Sequence, residues 1–182
     1  MAKESKTIFD RNVIEFVTVA DQFCRFMEQS SATERDQLVD TTIKILPLLY
    51  IKALLLPKCE MLDDENLEES VTEDDYEYLR QTLARILGEK DVYLDVFLED
   101  MKYSDVPIAK HISEDLADIY QDIKNFIFIF KLGINQHMND ALAQCQENFT
   151  LYWGQKLVNT LRALHEVKFE LPDNEDDDKF YD

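Results

Sequence analysis

The sequence predicts an all-α fold, a single-domain helical bundle of about five principal helices in which the long helices are kinked or broken. Three observations lead there. Glycine is scarce, 3 residues of 182, and hairpin-rich β folds need turn glycines. Apolar residues recur at helical spacing through most of the chain. One stretch, Ile112 to Gly133, reads as a long, mostly buried helix around which the other helices must be arranged.

The first helix is expected from about Asp10 to Glu28. Asp10 serves as N-cap, and Val13, Phe16, Val17, Ala20, Phe23, Cys24 and Met27 form one apolar face. The second starts near Thr33, carries Glu34 and Asp36 in its first turn, and stops at Pro57. Pro47 inside it removes a backbone donor, so a kink or break is expected near Ile43 to Leu46. From Ile43 onward the stretch is apolar nearly all round, which marks Thr33–Leu56 as a second deeply buried element. Lys52 lies on the stripe of Leu38, Ile45, Leu49 and Leu56. Its stem is expected to pack there while its head reaches solvent or an acid at the end of the bundle.

Residues 60–71 are dense in like charge and read as an acidic, mobile linker, dispensable for folding. The third helix opens at Thr72 with Asp75 three residues on, close to a capping box. Its stripe is Tyr76, Leu79, Leu83, Ile86 and Leu87, and Gly88 ends it. Asp91 to Tyr103 is ambiguous. A lone strand finds no partner there, so a helical turn or packed loop is expected, followed by a connection through Ser104 to Pro107.

In the central helix Ser113 is the expected N-cap, with Glu114 and Asp115 in the first turn, where the helix dipole favours anions. Leu116, Ile119, Tyr120, Ile123, Ile127 and Phe130 make its apolar face. From Phe126 to Phe130 every residue is apolar, so this half must be covered either by other helices of the same chain or by a second subunit in a homodimer. The last helix runs from about Asn135 to Val167 with two stripes. Met138, Ala141, Leu142, Cys145, Phe149 and Tyr152 form one; Trp153, Leu157, Leu161 and Leu164 form the other, rotated at Gly154. The domain is thus residues 1–169, and residues 170–182 form an acidic tail expected to be disordered.

The formal charge is −19. Phosphate backbones and anionic membrane surfaces repel such a protein, so neither direct nucleic-acid binding nor membrane binding is expected, while a basic protein partner suits it. The three cysteines, Cys24, Cys59 and Cys145, form neither a disulfide framework nor a zinc pattern. The opening residues carry no signal-peptide pattern, and the longest apolar run is too short to span a bilayer. A cytoplasmic location is the expectation.

Few residues suggest chemistry. Glu114, Asp118 and Asp122 share one helix face, and such a row binds Mg²⁺ in helical nucleotide hydrolases. No second row matches it, and a solvated face accounts for it more simply. Tyr152, Trp153, Lys156, Arg162 and His165 are candidates for lining a groove, although core packing explains Tyr152 and Trp153 more simply. His111, His137 and His165 fall in no Glu-x-x-His pair, and no phosphate-binding loop or nucleophile setting is present. No catalytic residue and no cofactor is assigned.

Four segments carry a resemblance: N-V-I-E-F-V-T-V-A from Asn12, D-T-T-I-K-I-L-P-L-L-Y from Asp40, S-E-D-L-A-D-I-Y-Q-D from Ser113 and Y-W-G-Q-K-L-V-N-T-L-R-A-L-H from Tyr152. They resemble an uncharacterised bacterial family classed only as a domain of unknown function. The resemblance implies an all-helical cytosolic protein and brings no activity, cofactor or catalytic residue. A non-enzymatic protein-interaction module is the favoured expectation. The alternatives are the Mg²⁺-dependent hydrolase and, more weakly, an acidic decoy that occupies a nucleic-acid-binding protein.

Overall fold

The computed structural model describes residues 7–63, 67–95 and 108–170. Its helices are α1 (Arg11–Glu28), α2 (Arg35–Leu54), α3 (Glu73–Leu87), α4 (Ile112–Lys131), α5 (Asn135–Asn148) and α6 (Gly154–Phe169). A π-helical turn, Phe149–Trp153, joins α5 to α6, so the last long helix is continuous with one wide turn inside it. The all-α, single-domain expectation holds.

Local chemistry sets several boundaries. The Asn12 amide donates to Asp10 Oδ1 at 2.8 Å and starts α1. Thr72 and Asp75 form a reciprocal capping box at α3, with Asp in the position usually held by Glu. Gly88 ends α3 with φ +61°, a left-handed angle that glycine adopts without a Cβ penalty.

The start of α4 differs from expectation. His111 is the N-cap residue, and its side chain makes no capping bond to the helix. Ser113 lies inside the helix, fully buried, and its hydroxyl is a donor rather than an acceptor. Its amide and its hydroxyl both donate to the carboxylate of Asp91, each at 2.7 Å. A remote acid therefore does the capping that a local residue was expected to do.

A short antiparallel ladder is the second departure. β1 (Val92–Asp95) pairs with β2 (Ile108–His111) in the register Val92 to His111. The expected helical turn at Val92–Asp95 is therefore replaced by a strand. Its partner follows Pro107, and the expectations for residues 96–107 lie outside the described residues.

α4 is the centre of the bundle, packed by α1, α3, α5 and α6. Phe126, Ile127, Ile129 and Phe130 are buried by the chain's own helices, and Phe128 is half-buried. The chain's own helices thus cover most of this half of α4. An aromatic series runs from Tyr50 to Phe149 (5.3 Å between ring centroids), Trp153 (4.6 Å), Phe16 (6.5 Å) and Phe126 (5.5 Å), linking α2, the π turn, α1 and α4.

α2 corrects another expectation. The helix is continuous through Pro47, with no break. It lies against α1 and α6 only on one side, burying Leu38, Val39, Leu46, Leu49 and Ala53. Leu48, Ile51, Leu54 and Leu55 are 51, 51, 59 and 50% exposed. Apolar composition all round did not bring burial all round, because no described element covers the outer face. Lys52 reaches Glu15 Oε2 on α1 at 2.5 Å, with both side chains partly exposed. Arg11 holds the same carboxylate at 2.6 Å, and Lys52 and Arg11 together keep Glu15 below the usual carboxylate range.

The described part of the acidic linker is tied to the body. Gln146 on α5 accepts from the Cys59 amide at 3.1 Å and donates to the Pro57 carbonyl at 2.8 Å. Asp140 accepts from the Leu62 amide at 2.7 Å. Asn125 Oδ1 on α4 accepts the amides of Ser70 and Val71 at 2.8 and 3.0 Å, and the Ser70 hydroxyl at 3.2 Å. Side-chain amides and a carboxylate thus satisfy backbone groups that charge density alone suggested were solvated.

Candidate functional site

The wide turn at Phe149–Trp153 positions α6 against α4. The Gly154 amide donates to the carbonyl of Phe149, five residues back. One extra residue in the turn shifts the apolar stripe round the helix, which is the rotation legible at Gly154 in the sequence. Trp153 and Leu157 then enter the core, and Lys156 faces the acids of α4.

Lys156 Nζ lies 2.5 Å from Asp118 Oδ2 and 3.5 Å from Asp115 Oδ1. The Tyr76 hydroxyl on α3 donates to the other oxygen of Asp118 at 2.8 Å. The Tyr93 hydroxyl on β1 donates to Asp115 Oδ2. One turn on, Asn148 donates to Asp122 at 2.7 Å. Four helices and a strand meet in this polar cluster.

Its electrostatics are those of a closed network. Burial raises Asp115, although Tyr93 and Lys156 pull the other way. Burial likewise raises Asp122, and Asp118 adds to the effect. For Lys156 burial acts to lower the value, but Asp118 and Asp115 outweigh it and raise it. Burial and the neighbouring carboxylates push Tyr76 and Tyr93 well above the ordinary phenol value. The ammonium and the phenols therefore keep their protons at neutral pH and act as hydrogen-bond donors, not as bases or nucleophiles.

The expected carboxylate row does not converge. Glu114 is exposed, Asp118 is held by Lys156 and Tyr76, and Asp122 is held by Asn148. Among the described residues no group of three or more His, Cys, Asp or Glu side chains could hold a metal ion. Asp118 thus takes part in an ion pair between α4 and α6, and Asp122 in a hydrogen bond between α4 and α5.

The expected groove residues are also dispersed. Tyr152 is 59% exposed and Trp153 is fully buried, its indole nitrogen donating to the Cys145 carbonyl at 3.2 Å. Lys156 belongs to the cluster, Arg162 pairs with Glu166 at 3.5 Å, and the exposed His165 lies against Phe169 with ring centroids 4.7 Å apart. Asp115, Tyr76, Tyr93 and Asn148 were missed by sequence reasoning. Asp115 looked like an ordinary first-turn acid, and its partners lie far away in sequence. The cysteines are free, and burial holds Cys24 up at about 12.

An all-α bundle with a π turn in its last long helix and a closed polar network beside its central helix is the class defined here. The chain belongs to the family described as domain of unknown function (DUF5063), whose model matches residues 7–170. It is similar to the crystal structure of protein BF1032 from Bacteroides fragilis, a structural-genomics target. That likeness has 60% sequence identity, a TM-score of 0.82, and coverage of 92% of this chain and 98% of the other. Comparison with curated proteins found no match.

Proposed function

We propose that this is a cytoplasmic, non-enzymatic protein-interaction module. The observation that carries the reading is the outer face of α2, where Leu48, Ile51, Leu54 and Leu55 remain half or more exposed. Contiguous apolar surface is costly in water and marks contact sites. The face continues into an open cleft of about 510 Å³ bordered by Leu54, Met61, Ala143 and Phe149. The groups that carry chemistry in enzymes are instead saturated by one another around Lys156. With a net charge of −19, the matching partner is a protein with an apolar patch set in positive surface. No described helix is long and apolar enough to cross a membrane.

The test compares the wild type with Ile51→Glu as bait. A partner retained by the wild type is identified by mass spectrometry, purified and titrated against both. The expected result is a wild-type complex weakened at least about tenfold by Ile51→Glu, with an unchanged melting temperature. Equal binding by both proteins removes the α2 face from the proposal.

A further inference from the structure

A second surface differs in chemistry from the α2 face. A cleft of about 250 Å³ opens where the linker passes the junction of α4 and α5. Leu67, Ile129, Leu132 and Ile134 give it an apolar floor, and Leu132 and Ile134 are 49 and 50% exposed. Asp63, Glu68, Gln136, His137 and Asp140 complete its lining, with no Lys or Arg among the residues that form it.

Several acids elsewhere on the body are taken up by lysines. Lys52 takes Glu15, Lys131 takes Asp21, and Lys124 takes Glu28. By contrast, Asp63 accepts only a side-chain amide, from Gln136 at 3.3 Å. Asp140 accepts from the Leu62 amide and from Asn139. Among the described residues no cationic side chain pairs with Asp63, Glu68 or Asp140. The neighbouring cleft across Leu67 and Glu68 is bordered by Glu69 and Asp122, again with no Lys or Arg.

We infer that this cleft receives a basic segment of a partner protein, seating one Lys or Arg side chain. The aliphatic stem lies on Leu67, Ile129, Leu132 and Ile134, and the cationic head meets Asp63, Glu68 and Asp140. The cleft is smaller than the roughly 300–1,000 Å³ of small-molecule sites, which suits one inserted side chain better than a cofactor. This inference rests on the interaction-module reading and supplies the chemistry of a partner.

The experiment titrates the full chain into a short fluorescein-labelled peptide of alternating Lys and Leu, read by anisotropy. The Glu/Leu counterpart is the control probe. Binding of the basic peptide alone is expected. Glu68→Lys should weaken it about tenfold or more, and Ile134→Ser several-fold, while Glu34→Lys, an equal charge change outside the cleft, should have a much smaller effect. Circular dichroism confirms that each variant is folded. No binding, equal weakening by Glu68→Lys and Glu34→Lys, or concentration-dependent self-association that fills the cleft with a second copy would each overturn the inference. Failure here with the Ile51-dependent complex intact removes the cleft alone; failure of both removes the module reading.

Discussion

Gly154→Ala is the most informative single substitution in this fold. In an ordinary helix, replacing glycine by alanine gains about 1 kcal/mol. Here the added Cβ would lie 2.4 Å from the carbonyl oxygen of Phe149 and 2.9 Å from two carbons of its ring. The ring is wedged between Tyr50 and Trp153, and the carbonyl is the acceptor that closes the π turn. Neither can give way by a change of rotamer. Overpacking of this kind costs about 1–3 kcal/mol, and the backbone contact places this site at the upper end. Set against the helix-propensity gain, the net loss should be about 2 kcal/mol, a fall of roughly 4–8 °C in melting temperature for a chain of this size. Thermal melts followed at 222 nm, with near-ultraviolet dichroism reporting on Trp153, measure it. A melting temperature that rises would refute the reasoning, because Gly154 would then be an ordinary helical glycine.

Three further outcomes are expected. Asn125→Ala removes the acceptor of three donors at Ser70 and Val71. It should cost about 1 kcal/mol, since water replaces part of what is lost, and hydrogen exchange at those two amides should accelerate. Asp122→Asn keeps the contact with Asn148 but removes a partly buried charge whose protonated form the fold favours. Because the folded-state value is raised, the ionised carboxylate costs stability above it. The variant should therefore melt higher than wild type at pH 7, and the gain should fade as pH falls into the ordinary carboxylate range. Lys52→Met leaves Glu15 with Arg11, so it should lower the melting temperature less than Gly154→Ala does, and by less still at high salt.

Features written in neighbouring residues were legible in the sequence. The Asp10 cap, the Thr72–Asp75 box, the stop at Gly88 and the stripe rotation at Gly154 all lie within one or two turns of what they control. The burial of α4 was legible because a wholly apolar half-helix must be covered. The same inference failed on α2, where hydrophobicity reports a wish for neighbours and not their presence. The β ladder pairs Val92 with His111, and the polar cluster joins Asp115 to Lys156, 41 residues away. Such pairings depend on how helices cross, and no local pattern encodes that. Of the eventual cluster, Lys156 was singled out as a groove residue and Asp118 and Asp122 as part of a carboxylate row, and nothing in their spacing said that they would meet.

The remote capping of α4 bears on the order in which the chain folds. A helix whose first turn lacks its own cap starts poorly in isolation, since nucleation is the costly step. Asp91 supplies the missing acceptor from the turn that follows α3, through bonds to the amide and hydroxyl of Ser113. During synthesis Asp91 leaves the ribosome before Ile112, so the acceptor is already waiting when the central helix emerges. The capping geometry predicts a folding nucleus that includes the long-range pair of Asp91 and Ser113. Substitutions at Asp91 should slow folding more than they speed unfolding.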